Sequence, residues 1–287
     1  MQINSILAGY LKLDGGAMFG VVPKRLWAGM NPPDDNNLCT WAMRTLLIRT
    51  DNGRNILVDT GIGNKQDDKF KRHFEPQRPE MLFESLAELN LKPEDITDVF
   101  LTHLHFDHCG GAIWQDPDGV SRPTFPKARY WSNTRHWDWA MNPNDREKAS
   151  FLKENFEPLA AAGLLQMTEL RPGTTFCPGV EILYFNGHTE AMMGLKIRLD
   201  DGQELIYCAD LIPSRWHIGG PYVMAYDVRP LETMAEKAPL IQEACERNQI
   251  LFFEHDPDIA CARVARDERG RIGLRQSGSL EEMLLSY

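Results

Sequence analysis

Apolar and polar positions along the chain fall into blocks that predict both strands and helices. Runs rich in Leu, Ile and Val on either side of Asn, Asp and Gly predict β-hairpins, and segments with apolar residues at helical spacing lie between them. This alternation places the chain in the α/β class, with helices on the faces of mixed sheets. The predicted hairpins lie at residues 45–59, 193–209 and 260–274, further strands at 96–101, 128–131, 180–185 and 249–253, and helices at 79–89, 142–162 and 230–248, with a short helix near residue 287.

Length and the distribution of apolar residues limit the class of protein. The chain has 287 residues, enough for one large domain or two small ones, and we expect a single domain over residues 1–287. No apolar run approaches the roughly 18 residues that cross a bilayer. The start of the chain lacks a basic region followed by an apolar one, so no signal peptide is predicted. We therefore expect a cytoplasmic protein that does not bind a membrane.

Charge and cysteine content exclude further classes. The formal net charge of -10 repels phosphate backbones, so we expect no nucleic-acid partner. The six cysteines are scattered and form no CxxC pair, which argues against a thiolate zinc module and against a disulfide framework. We expect reduced cysteines that pack as small apolar residues. Cys109 differs from the others because it directly follows His108.

Side chains that can bind a metal ion are concentrated after one predicted strand. Residues 102–111 read THLHFDHCGG, with three histidines and an aspartate within six positions. His103 and His105 are two residues apart, so on extended backbone both can face one ion. Asp107 and His108 follow where the chain turns and can face a second ion. A polar loop without metal is the alternative interpretation.

Three later strands also end near a metal-competent side chain. Imidazole nitrogen and carboxylate oxygen are ligands of zinc and similar ions, and an ion with an open position activates water. His188 would be a third ligand of the first ion, His255 a third ligand of the second, and Asp210 could bridge both. A water shared by the two ions would ionise near neutral pH. Gly110 and Gly111 allow a tight backbone turn beside the ions.

These motifs resemble those of a known family. The run His103–His108 matches the HxHxDH motif of the metallo-β-lactamase superfamily, and the segments NGHT at His188, CAD at Asp210 and EHD at His255 resemble its later motifs in the same order. The resemblance extends over about residues 45–255. It implies a four-layer αβ/βα sandwich, with two mixed β-sheets flanked by helices and the metals at one edge of both sheets. It also implies two divalent transition-metal ions. Zinc is the expected ion, and manganese, iron and cobalt stay open because histidine and carboxylate ligands do not decide among them.

Two aspartates have particular roles in this interpretation. Asp59, in the segment VDTG, resembles the family's early strand-end aspartate, which supports the site without binding metal. It would orient a histidine from the second coordination sphere, or else be a plain turn residue. Asp107 is expected to be a catalytic residue as well as a ligand, because it can accept or shuttle a proton as the leaving oxygen departs.

Other segments resemble one branch of the superfamily, which contains quorum-quenching N-acyl homoserine lactonases and methyl-parathion-type hydrolases. They are residues 15–24 (GGAMFGVVPK), Trp27, residues 59–63, residues 136–139 (HWDW) and residues 226–227. This resemblance implies a hydrolase that uses a metal-bridging hydroxide on a lactone or carboxylic ester, such as an N-acyl homoserine lactone. An organophosphate triester hydrolase and a non-catalytic metal-binding protein of the same fold stay open. The implied partner is a small molecule, and a homodimer also stays open.

One position departs from the lactonase pattern. Pro213 lies three residues after the bridging aspartate, where lactonases carry a tyrosine that contacts the substrate, and this weakens lactone as the specific substrate. Tyr222, Tyr226 and His217 are candidates to replace that tyrosine. The residues expected to contact substrate are Phe19, Trp27, Phe106, Trp216, His217 and Tyr226, and packing in the core is the alternative for the aromatic ones.

Overall fold

The computed structural model describes residues 1–171 and 173–286. These residues form two compact units, each built from two stretches of the chain. The first unit contains Met1–Leu11 and Ala42–Leu170, and the second contains Lys12–Trp41 and Arg171–Tyr287. A single functional domain over residues 1–287 stays a prediction. Within the described ranges, no helix has the length and apolar character needed to cross a bilayer.

A six-stranded mixed sheet organises the first unit. The strands of this part of the chain are β1 (Gln2–Asp14), β2 (Leu38–Arg49), β3 (Asn55–Val58), β4 (Asp98–Phe100), β5 (Ile113–Gln115), β6 (Ser121–Pro123), β7 (Arg129–Asn133) and β8 (Leu165–Thr168). The sheet has the order β1-β2-β3-β4-β7-β8, while β5 and β6 pair separately. β2 and β3 are antiparallel, whereas β3, β4, β7 and β8 run parallel to one another. The carboxyl ends of the parallel strands therefore lie along one edge.

A seven-stranded sheet organises the second unit. Its strands are β9 (Thr175–Cys177), β10 (Val180–Phe185), β11 (Met192–Arg198), β12 (Glu204–Tyr207), β13 (Ile250–Phe252), β14 (Cys261–Arg266) and β15 (Ile272–Gly278). Their order is β15-β14-β13-β12-β11-β10-β9. β12 and β13 are parallel, and the other neighbouring pairs are antiparallel. Both large sheets are thus mixed, as predicted.

The helices complete an α/β architecture. They are α1 (Gly15–Phe19), α2 (Lys24–Trp27), α3 (Asp68–Phe74), α4 (Met81–Glu88), α5 (Phe106–Cys109), α6 (Thr134–Met141), α7 (Glu157–Ala161), α8 (Pro230–Glu246) and α9 (Leu280–Leu285), with 3₁₀ turns at Pro93–Asp95, Gly110–Ala112, Lys153–Asn155, Ala209–Leu211 and Arg215–Ile218. In the second unit, α8 and α9 pack against β14 and β15. In the first unit, α6 packs against β7. The predicted α/β class with mixed sheets and flanking helices is confirmed.

Local sequence signals explain the elements that were predicted correctly. The three predicted hairpins form, as β2–β3, β11–β12 and β14–β15. Gly53 and Gly202 adopt φ of 82° and 87° in the first two turns, a conformation that glycine reaches without steric strain. Pro230 begins α8, where its missing N–H group costs no hydrogen bond. Ser279 and Glu282 form a capping box at the start of α9.

The prediction of one long helix over residues 142–162 is wrong. α6 ends at Met141, and only a 3₁₀ turn and the short α7 follow within this stretch. The side chain of Asn144 accepts hydrogen bonds from the backbone N–H groups of Arg146 and Glu147, at 2.9 and 3.1 Å. Such side-chain bonds compete with helical backbone bonds and favour a turn. The strand β1 and the helix α6 were not predicted, although buried and less buried residues alternate along much of β1.

Candidate functional site

The histidine run joins a strand end to a short helix in the first unit. His103 and His105 follow β4, and His105 still has extended backbone. Asp107 and His108 lie in α5, which redirects their side chains. The ring centroids of His103 and His105 are 4.6 Å apart, and those of His103 and His108 are 3.9 Å apart. The structure therefore brings the three imidazoles of this run together.

Hydrogen bonds on one side of these rings define which nitrogen is available on the other side. The Nδ1 atom of His103 lies 3.0 Å from the hydroxyl of Thr102. The Nδ1 atom of His108 lies 3.2 Å from a carboxylate oxygen of Asp59. When Nδ1 carries the proton and donates it to an acceptor, Nε2 keeps its lone pair for an ion. A candidate ligand atom of His103 lies within 4.8 Å of a candidate ligand atom of His108.

Asp59 is a buried carboxylate that contacts Thr102 and His108. It follows β3 with φ of 60° and is fully buried. One carboxylate oxygen accepts from the backbone N–H of Thr102 at 2.8 Å, and the other accepts from the Thr102 hydroxyl at 2.6 Å and faces His108. Both carboxylate oxygens therefore accept hydrogen bonds, and the role of Asp59 in orienting His108 stays a prediction.

The second unit contributes its own compact set of candidate ligands. β12 and β13 are parallel with Tyr207 opposite Phe252, and Asp210 and His255 each follow three residues later. This shared register places the two side chains at one strand edge, with His255 Nε2 3.0 Å from Asp210 Oδ1. His188 lies in the connection from β10 to β11, and its Nε2 is 3.2 Å from the other oxygen of Asp210. Asp210 thus faces one histidine with each oxygen.

Two residues near this set were not identified from the sequence as site residues. Asp227 lies 2.9 Å from Nδ1 of His188, and its other oxygen accepts from the backbone N–H of Met224. It therefore holds His188 in the way that Asp59 holds His108. Glu254 is fully buried next to His255 and accepts a hydrogen bond from Tyr207 at 2.8 Å. The only sequence signal was their position beside residues that resemble family motifs.

The chemistry of these residues fits divalent transition-metal ions. The five histidines and two aspartates predicted as ligands are each at most 8% exposed. Clustered buried carboxylates are costly unless a positive charge compensates them. Imidazole and carboxylate donors supported by a second layer of hydrogen bonds are the kind of set that holds zinc and related ions. The predicted ligands are His103, His105, Asp107, His108, His188, Asp210 and His255.

Three of the residues expected to contact substrate form an aromatic cluster inside the second unit. Phe19 stacks on Trp27 with centroids 5.1 Å apart and on His217 at 5.4 Å. None of the three is more than 1% exposed. His217 also uses both ring nitrogens, with Nδ1 2.7 Å from the Ser214 hydroxyl and Nε2 2.9 Å from the Met18 carbonyl. Their contact with a substrate stays a prediction, and their packing identifies them as core residues.

The other three expected substrate residues are distributed differently. Trp216 is half-buried, and the Arg215 guanidinium lies 4.4 Å from its ring centroid. Tyr226 is 36% exposed. In the first unit, Phe106 packs against two aromatic rings of α3, with centroids 4.9 and 4.7 Å away. Trp216 and Tyr226 keep surface that a small molecule can reach, and their role stays a prediction.

Cys109 and Pro213 have structural roles. Burial raises the pKa of the Cys109 thiol far above its ordinary value, and the thiol donates to the Leu104 carbonyl at 3.3 Å, which leaves little thiolate for metal binding. All six cysteines are free. Pro213 is buried, and its carbonyl accepts from the backbone N–H of His255 at 2.9 Å. The position where lactonases carry a tyrosine therefore supports the backbone of a candidate ligand.

Comparisons with known proteins agree with these features. Residues 44–114 match the model of the metallo-β-lactamase superfamily. An N-acyl homoserine lactonase of Bacillus cereus is 25% identical over 239 residues, which cover 79% of this chain and 85% of that protein. A crystal structure of a probable metal-dependent hydrolase from Staphylococcus aureus has a TM-score of 0.85 at 28% identity, covering 98% of this chain and 97% of that one. A dizinc quorum-quenching lactonase bound to its product has a TM-score of 0.76 at 20% identity, covering 95% and 93%.

Proposed function

We propose that this chain is a metal-dependent hydrolase of the metallo-β-lactamase superfamily and that it opens a lactone or cleaves another carboxylic ester with two bound divalent metal ions. An N-acyl homoserine lactone is the proposed substrate type, because the Bacillus cereus relative is an N-acyl homoserine lactonase. We propose zinc as the ion, since one structural relative is a dizinc lactonase. The proposed ligands are His103, His105, Asp107, His108, His188, Asp210 and His255.

The observation that carries this proposal is the presence of two preorganised ligand sets. In the first unit, Asp59 holds His108 by Nδ1. In the second unit, Asp227 holds His188 by Nδ1, and Asp210 directs one oxygen to each neighbouring histidine. A carboxylate that orients a histidine through its far nitrogen is characteristic of metal sites.

Each part of the chain has a defined task in the proposed reaction. When bound, the ions supply Lewis acidity that polarises the scissile carbonyl and acidifies water. Asp59 would hold the proton of His108 on Nδ1, and Asp227 would do the same for His188, so that each Nε2 keeps its lone pair for an ion. Asp107, whose Oδ2 lies 3.8 Å from Nε2 of His108, would accept a proton on this oxygen and pass it to the departing alcohol oxygen. Trp216 and Tyr226 would contact the apolar part of the ester.

The metal part of the proposal is tested by elemental analysis and substitution. We expect close to two transition-metal ions per purified wild-type chain, and loss of turnover in His105→Ala and Asp210→Ala, because each removes a proposed ligand. His73→Ala and Asp118→Ala are matched controls at exposed positions and should keep wild-type rates. Wild-type rates in either ligand variant would contradict the assigned roles.

The presence of Pro213 favours an organophosphate triester as a second candidate substrate. Its ring offers no hydroxyl to a lactone carbonyl or leaving oxygen, whereas an aryl phosphotriester releases an aryloxide that needs little protonation. Comparing kcat/KM for N-hexanoyl homoserine lactone and paraoxon distinguishes the two. We expect the lactone value to be much larger, and the reverse order would favour the triester. Failure of fully metallated protein on a broad ester and phosphoester panel would favour a non-catalytic metal-binding protein.

A further inference from the structure

The segment between α6 and α7 packs against the second histidine of the metal-binding run. The backbone N–H of Phe106 donates to the Ser150 carbonyl at 3.0 Å, and the N–H of Ser150 donates to the Glu147 carbonyl at 2.7 Å. The ring of Phe151 lies 4.7 Å from the His105 ring, centroid to centroid. All these residues belong to the first unit. The segment therefore fixes the backbone directly after His105 and covers one face of its ring.

Glu147 is the buried charged residue of this segment and is only 3% exposed, whereas the other charged side chains of the segment are exposed. One carboxylate oxygen, Oε2, accepts hydrogen bonds from the Trp139 indole at 2.8 Å and from the Asn144 amide at 2.6 Å. The other oxygen, Oε1, lies 3.6 Å from Nε2 of His105. Two donors thus immobilise the carboxylate through one oxygen, and the second oxygen is directed at the imidazole.

A second histidine supports the same stretch from α6. His136 is buried, and its Nε2 accepts a hydrogen bond from the backbone N–H of Leu104 at 2.8 Å. Its own backbone N–H is capped by the Asn133 side chain at 2.8 Å. The peptide before His105 is therefore held by His136, while the ring of His105 faces Glu147.

We infer that Glu147 is a positioning residue that sets the tautomer and orientation of His105. The inference rests on the proposed function, because it assumes that His105 is a metal ligand. A proton on Nε2, facing the Glu147 carboxylate, leaves the lone pair of Nδ1 for the ion. The carboxylate also makes the imidazole a stronger donor to the ion. Glu147 acts through His105 and does not touch substrate.

The substitution Glu147→Gln separates positioning from packing. A glutamine keeps the volume and an oxygen that can accept from Trp139 and Asn144. Its amide NH₂ group then faces Nε2 of His105, so the stable tautomer carries the proton on Nδ1, where the ion would bind. Glu147→Ala removes the same charge together with the side-chain contacts. Glu154→Gln is the matched control, because it removes an exposed glutamate from the same part of the chain.

We would measure Zn²⁺ affinity of the metal-free proteins by competition with a chromophoric chelator, and the visible spectrum after loading with Co²⁺. Zn²⁺ binding by Glu147→Gln should weaken about 10- to 100-fold, the usual effect of losing such a partner, and its Co²⁺ spectrum should change. Its metal-free melting temperature should stay near that of wild type, whereas Glu147→Ala should melt lower. Glu154→Gln should match wild type in every measurement.

The outcomes distinguish this inference from the proposed function. If wild-type protein binds two ions and Glu147→Gln binds them equally well with an unchanged Co²⁺ spectrum, the positioning role is wrong and the metal site stands. If only Glu147→Ala loses affinity, Glu147 acts through packing alone, which also overturns the inference. If wild-type protein binds no ions, the proposed function itself fails. Should Glu147→Ala not fold, Glu147→Gln still decides the question.

Discussion

Individual histidines of this protein differ according to the partners of their ring nitrogens. His108 and His188 each have a carboxylate at Nδ1, which leaves Nε2 available to an ion. His217 instead has partners at both nitrogens, Ser214 and Met18, inside the second unit. The same residue type thus acts as a candidate ligand at the first two positions and as an uncharged core residue at the third.

The protonation of His217 leads to a prediction about stability. Burial is the main cause that lowers the pKa of His217 from 6.5 to about 4. The unfolded chain therefore binds more protons than the folded one between these values, and stability rises with pH across that window. His217 contributes stability that is fully present above about pH 6.5 and is lost as the pH falls towards 4, by at most about 3 kcal/mol.

We expect His217→Gln to flatten the pH dependence of the free energy of unfolding between pH 4 and 6.5. Glutamine can accept from Ser214 and donate to the Met18 carbonyl without titrating. Urea unfolding of metal-free protein at several pH values would measure the effect, since the other histidines then contribute equally to both proteins. His73→Gln, at an exposed position, should keep the wild-type slope. An unchanged slope in His217→Gln would contradict the argument.

At the scale of elements, two backbone segments of the first unit meet at very short range behind the histidine run. The N–H of Thr60 donates to the His108 carbonyl at 2.7 Å, and the N–H of Gly111 donates to the Gly61 carbonyl at 2.8 Å. Lys65 adds hydrogen bonds to the carbonyls of Gly110 and Ile113. The glycines after the run were expected to allow a tight turn. They also permit this close approach, because a Cβ at either would collide with backbone of residues 60–62.

The close contact between these segments predicts that one methyl group added at Gly111 will destabilise the protein. A Cβ at residue 111 would collide with the Thr60 carbonyl, so Gly111→Ala must move one segment away from the other. We expect a loss of about 2–3 kcal/mol in the free energy of unfolding, as for other overpacked sites, and weaker metal binding because His108 moves with the segment. Urea unfolding and chelator competition would measure both effects.

Gly29→Ala is the control for this substitution, since a Cβ there meets nothing within 4 Å. It should change stability by a few tenths of a kcal/mol at most, as is usual for open surface positions. Equal stability of Gly111→Ala and wild type would show that the two segments can separate without cost.

At the scale of the whole molecule, the proposed ligands lie in stretches of the chain that are far apart in sequence. Four proposed ligands lie between His103 and His108, and the other three are His188, Asp210 and His255. Ligands that must be brought together by folding couple metal binding to the stability of the folded chain. Metal removal should therefore lower the stability of the whole folded chain.

We expect chelation to lower the melting temperature by several degrees and to abolish turnover, and Zn²⁺ to restore both. An ion present at 100 times its dissociation constant stabilises the native state by about 2.7 kcal/mol per site. Differential scanning calorimetry with and without chelator would measure the change. The variant His103→Ala should show a smaller response to chelator. A chelated wild-type protein with unchanged melting and full activity would refute metal dependence.

Short-range sequence patterns determined much of this protein. The hairpins follow from turn residues between apolar runs, and the spacing of His103, His105 and His108 alone indicates a metal-binding run. Asp210 and His255 could be proposed because each follows a strand, and strand ends meet at a sheet edge. These features depend on neighbouring residues or on strand boundaries, which hydrophobic periodicity reports directly.

The tertiary structure decided which residues contact the proposed ligands and which ones pack in the core. Asp227 is 39 residues from His188, and Glu147 reaches His105 only because residues 142–156 do not continue α6 as a long helix. Phe19 has the same aromatic chemistry whether it lines a pocket or fills a core, and its burial becomes known only when distant segments pack around it. Contacts between residues far apart in the chain depend on the fold as a whole, and no local spacing encodes them.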